Sequence, residues 1–177
     1  MARMHATHRI HFDFWHKDHF EALKQAKTPK HLLPIALGVA ERRPRGVQMI
    51  AGAITTGGIG TIEGNLTIFE RMIEYHVTEK KENTFSQLPF EDVLRDYMAR
   101  WTKHGNGGYC DPIIDDLYLP FLRSGLIVRV CFIYGWRTSI GARREHEICK
   151  ERGIEIIYLP KSLNNKVLEI PARDEDD

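Results

Sequence analysis

Apolar residues in this chain fall into short continuous runs separated by stripes at helical spacing, the pattern of buried strands alternating with amphipathic helices. Val47 to Ile54 is the first such run. It enters Thr55-Thr56-Gly57-Gly58-Ile59-Gly60, so the pattern predicts a buried strand leading into a flexible turn. Leu66, Phe69, Met72, Ile73 and Val77 then mark a helix to about Glu79, with Asn65 as its expected N-cap. Residues 83–88 predict a short second strand stopped by Pro89, and Phe90 to Trp101 and Pro112 to Leu122 each predict a helix. Leu126 to Tyr134 is the most strand-like run and is expected to be central. A helix from about Ala142 to Arg152 follows, with Gly153 at its C-terminus, and a last strand runs from Ile154 to Leu159.

Strands alternating with helices predict an α/β domain of three layers on a mainly parallel, doubly wound sheet, flavodoxin- or Rossmann-like. Residues 1–44 differ in character, being rich in His, Lys and Arg and broken by Pro29, Pro34 and Pro44. They are expected to form an N-terminal extension outside the core, with Phe14, Trp15, Phe20 and Leu23 as the apolar stripe of a short helix that packs on the main domain or on a second subunit. Residues 45–161 form the expected domain and 162–177 a C-terminal tail, frayed at its acidic end.

Composition narrows the function classes. The 177 residues suit one domain, and 25 Lys and Arg against 24 Asp and Glu give a net charge of +1, so bulk charge favours no nucleic-acid partner. The longest apolar stretch contains Arg129 and is too short to span a bilayer, so no membrane association is expected. Three cysteines without CxxC spacing, and no apolar leader ahead of them, point to a reducing, cytoplasmic compartment. His16 and His19 flank Asp18 in the histidine-rich N-terminal region, but the spacing fits no closed ligand set, and neither metal nor cofactor is expected.

In open parallel sheets, ligands sit beyond the carboxyl ends of the strands, so the loops after Ile54, Leu88 and Tyr134 should converge on one cleft. The first offers Gly52, Thr55, Thr56, Gly57 and Gly58, whose free backbone NH groups would suit an anion such as phosphate. At the second strand end, Phe85 would stack on a base and Gln87 would read its edge, although core packing explains Phe85 equally well. The third offers Trp136, Ser139 and Gly141. Glu145 lies one turn into the following helix, where the helix dipole favours an ionised carboxylate and Trp136 would supply an apolar wall. A carboxylate so placed suits attack on an oxocarbenium-like sugar carbon; its plain alternative is a solvent-facing glutamate paired with Arg144, Lys150 or Arg152.

The segment Gly135-Trp-Arg-Thr-Ser-Ile-Gly-Ala-Arg-Arg-Glu145 resembles the nucleoside 2-deoxyribosyltransferase superfamily, and the likeness extends over residues 47 to 160. The family motif has a serine or aspartate, glycine two residues on and glutamate six residues on; Ser139, Gly141 and Glu145 match it, within a branch whose reaction is uncharacterised. The resemblance implies that Glu145 is a nucleophile on an N-glycosidic bond. Serine at position 139 implies a nucleoside 5′-monophosphate over a free nucleoside. Gly57-Gly-Ile-Gly-Thr61 is also similar to the GGxGT motif of phosphoribohydrolases, with Gly64 where that motif has glutamate. The family's aspartate ahead of the central strand is missing, and Asp116 is the nearest substitute as a base-orienting or proton-handling group. Members build sites from neighbouring subunits, which implies a homo-oligomer. A non-catalytic nucleotide-binding or interaction module on the same fold is the alternative expectation.

Overall fold

The computed structural model of this chain describes residues 15–43 and 45–169. Four strands, β1 (Val47–Ala51), β2 (Thr84–Phe85), β3 (Ile127–Phe132) and β4 (Glu155–Tyr158), form one all-parallel sheet in the order β2-β1-β3-β4. Every residue of β1 is buried, as an apolar strand with neighbours on both edges and helices on both faces requires. Side chains alternate between two cores. Met49, Ala51, Val130 and Phe132 face one of them, and Ile50, Cys131 and Ile133 face the other.

Helices α3 (Ile62–Thr78) and α8 (Lys161–Glu169) cover the second core. The first is covered by α2 (Pro29–Ala40), α6 (Leu119–Arg123) and α7 (Ile140–Arg152), with Leu94 of α4 (Glu91–Lys103) added. The result is the three-layer, Rossmann-like α/β arrangement that the alternating pattern predicts. Among the described residues no helix is long and apolar enough to cross a membrane.

Two boundary expectations change. Residues 15–43 are not an extension outside the core: Leu32, Ala36, Val39 and Ala40 of α2 are fully buried in the core that includes β1 and β3. Thr28 accepts a hydrogen bond from the His31 NH at 3.3 Å and Pro29 occupies the first turn, so the proline that reads as a breaker starts this helix. Trp15 packs edge-on against Phe90 at 5.4 Å, with the short α1 (Lys17–Gln25) behind it. At the other end, α8 buries Val167 against α3, so the tail begins no earlier than the end of this helix. Phe14 and the acidic stretch 173–177 lie outside the described residues.

Helix α3 starts earlier than expected, with Thr61 as its cap, accepting from the Gly64 NH at 3.1 Å. Between α4 and β3 the chain forms α5 (Asp111–Ile113), a π-helical turn (Ile114–Tyr118) and α6, in place of one regular helix. That π turn lies beside the cavity described next, a position such turns often take.

Candidate functional site

β2 lies on one side of β1 and β3 on the other, so the chain reverses its direction of winding between β1 and β3. At such a reversal the outgoing loops diverge and leave a crevice. A cavity opens there, lined by Gly52, Ile54 and Thr55 after β1, by Gln87 after β2, and by Ser139, Gly141 and Glu145 after β3. Glu91, Leu94 and Met98 of α4, with Tyr109, Ile114 and Tyr118, complete the walls. The space between them is about 640 Å³ counted out to the mouth, but the centre of a water molecule reaches only about 70 Å³ of it. It is a narrow, largely apolar slot.

Asn65 organises the loop after β1. Its Nδ2 donates to the carbonyls of Ile54 and Gly57, each at 3.0 Å, and its Oδ1 accepts from the Ile59 NH at 2.9 Å. Instead of capping α3, it closes the turn onto the helix. The turn is then tied to the loop after β3, because the Gly58 NH donates to Thr138 Oγ1 at 2.8 Å and the Ile140 NH donates to Thr56 Oγ1 at 3.2 Å. Gly58 has a φ of +66°, and a side chain there would strike Asn65 Oδ1. Replacing Asn65 with alanine removes three hydrogen bonds and leaves the Ile54 carbonyl and the Ile59 NH without partners, and unfolding should show a loss of about 2 to 3 kcal/mol. Urea titration measures this, and a loss within error of zero would mean the loop does not need the bridge.

These bonds alter the expected role of the glycine turn. The NH groups of Gly58 and Ile59 are engaged by Thr138 and Asn65, and that of Gly60 donates to the Gly57 carbonyl. Ser139 Oγ accepts from the Ala142 NH at 3.3 Å as the cap of α7. The NH groups of Gly58, Ile59 and Gly60 are therefore not free for phosphate, and Thr56, Gly57 and Gly58 lie outside the cavity wall.

A Cβ at 141 would fall on the Tyr109 hydroxyl, so any side chain there would displace the tyrosine from the wall. Ile114 Cδ1 would stand 3.2 Å from that Cβ. Gly141→Ala should therefore cost about 1 to 3 kcal/mol through overpacking, read as a lowered Tm. An unchanged Tm would show that Tyr109 swings aside freely.

Glu145 is only 7% exposed and has no ion-pair partner among the described residues. Burial alone pushes its carboxyl up to about 8, against the expectation of an ionised group favoured by the helix dipole. Desolvation outweighs the dipole, so Glu145 is mostly protonated at neutral pH. Arg144, beside it in sequence, turns away to Asp111 at 3.1 Å and to Asp115.

A second carboxyl, Glu91, lines the same cavity, and burial raises it to about 7 despite the nearby Arg95. Burial, Glu91 and Glu145, in that order, push the Tyr118 hydroxyl well above its ordinary range, so it feels both acids. Gln87 is 3% exposed; its Nε2 donates to the Ile50 carbonyl at 2.8 Å and its Oε1 has no hydrogen-bond partner.

Three further expectations change position. Phe85 packs in the aromatic core between Trp15 and Phe121 and does not reach the cavity. Trp136 stacks on His146 at 4.3 Å and lies under the Arg137 guanidinium, on the β4 side of the domain and away from the cavity wall. Asp116 is exposed and lines no part of the cavity, because Leu117 and Tyr118 take the inward positions of the π turn. Sequence reasoning missed Glu91, although an acidic residue opening the helix after the second strand end is where a cleft residue belongs.

No family model matches this chain, and neither does any curated protein or solved structure.

Proposed function

We propose that this chain cleaves or transfers the N-glycosidic bond of a nucleoside or nucleoside 5′-monophosphate, with Glu145 attacking the anomeric carbon. The observation that carries this reading is the placement of an uncompensated, buried Glu145 in the cavity at the sheet's switch point. Ser139 and Gly141, which share the motif of the superfamily this segment resembles, line the same cavity. In its ionised form Glu145 gives an electron pair to the anomeric carbon as the C–N bond breaks and the base leaves with the bonding pair. Water then displaces the carboxylate in hydrolysis, or a second base does so in transfer.

The test is release of free base from a panel of nucleosides and 5′-monophosphates, with Glu145→Ala beside the unaltered protein. Release by the unaltered protein alone supports the reading. Equal release by both removes Glu145 from the reaction, and release by neither favours a binding module on this fold.

A further inference from the structure

The cavity is unusual in its charge. Two glutamates from different helices line it, and no Lys, Arg or His is among the described residues of its wall. The nearby cations are engaged elsewhere: Arg144 with Asp111 and Asp115, Arg95 with Asp92 at 2.6 Å, and Arg143 on the Arg137 carbonyl at 2.9 Å. Tyr109, Tyr118 and Cys110 are the other titratable groups at the wall, and Cys149 lies behind Glu145 on α7. None of them brings positive charge.

Gln87 adds an independent sign. The Ile50 carbonyl fixes which way its amide points, since turning it over would set two acceptors against each other. The unpartnered Oε1 is therefore an acceptor, enclosed within a residue of the cavity wall where water does not reach it, and leaving it so costs free energy. Two carboxyls and one amide oxygen together present acceptors and no compensating charge.

We infer that the cavity selects a positively charged nucleoside base, of the N-ribosylpyridinium kind, which lies between Glu91 and Glu145 in a wall that carries the unpartnered Gln87 amide. This deepens the proposed N-glycosidic reading and rests on it for the identity of the bond. The chemistry balances without an acid: when the C–N bond of such a cation breaks, its pair returns to the ring nitrogen and cancels the charge, so the base leaves neutral and needs no proton. Glu145 forms the bond to the anomeric carbon, and water later replaces it, releasing one proton. An anionic 5′-phosphate would meet two acids in the slot and a glycine turn whose donors at Gly58, Ile59 and Gly60 are already engaged.

A cation binds best to ionised carboxylates, so affinity should rise as pH passes upward through the range in which Glu91 and Glu145 lose their protons, about 7 and about 8. Calorimetric titration of the full chain with nicotinamide riboside, adenosine and adenosine 5′-monophosphate tests this. Nicotinamide riboside should bind at least about tenfold more tightly at high pH than at about pH 6, and more tightly than either adenosine compound. Glu91→Gln should remove that preference, lowering the affinity for nicotinamide riboside at high pH by at least about tenfold. Tighter binding of the monophosphate, a cation affinity indifferent to pH, or no binding of the cation at high pH would each overturn the inference. The pH series on the unaltered protein answers even if the variant fails to fold. Because heat and not turnover is read, a protein that releases no base still reports whether the slot selects for charge.

Discussion

Glu145→Gln should abolish base release and at the same time make the protein more stable. The first effect follows from the nucleophile's role: an amide cannot give the electron pair that a carboxylate gives, and loss of such a group typically lowers kcat/KM by at least about a thousandfold. The second follows from burial. In the folded chain the carboxyl loses its proton near 8, whereas in the unfolded chain it does so near its ordinary value of 4.5. Between those two values the folded state holds a proton that the unfolded state has lost, so stability falls as pH rises through the window and levels off above it. Glutamine has no such slope. The difference in favour of the variant should be nil in acid, grow from about pH 5 and reach roughly 5 kcal/mol above pH 8. Thermal unfolding at several pH values reads it directly. A variant less stable than its parent at high pH would show that the carboxylate is held by contacts that stabilise it, and the desolvated-nucleophile reading would fail.

The same titration sets the sign of the rate. Only the ionised form attacks, so kcat/KM of the unaltered protein should rise with pH to a plateau above about 8. A fall across that range would instead make Glu145 a proton donor.

The sheet is legible in the sequence because β1 and β3 sit between neighbours, so burial on both faces shows as the runs around Ile50 and Val130. The edge strands are harder to read: β2 is two residues long, and β4 leaves Ile157 and Tyr158 partly in solvent. In the candidate site, Ser139, Gly141 and Glu145 can be placed because a strand end, a cap and the helical repeat fix their relative positions. Asp116 cannot, because the π turn shifts the helix phase by a residue and period counting assumes a regular helix. The ionisation of Glu145 is equally hidden: a helix dipole can be read from position, whereas burial depends on Tyr109, Ile114 and Tyr118 arriving from elsewhere in the chain.

Residues 15–43 mislead for a different reason, and the consequence can be tested. Prolines and basic residues suggest a loose extension, yet Leu32, Ile35, Ala36 and Val39 repeat at the spacing of one helix face, and that face is buried in the core shared with β1 and β3. Leu32 has no exposure at all. In a core of this kind Leu32→Ala removes several methyl groups and leaves a cavity that the surrounding side chains fill only in part, which costs about 2 to 5 kcal/mol. For a domain of ordinary stability that is a large share of the total, so the midpoint of urea unfolding should fall steeply with the slope unchanged. A peripheral helix would behave otherwise, since truncating a side chain on a loosely attached segment changes global unfolding by less than about 0.5 kcal/mol. A chain lacking residues 1–44 should fail to fold cooperatively for the same reason: its removal strips α2 from the core that it shares with Val47, Met49, Ile127 and Val130 and leaves α6 and α7 to cover that core without it.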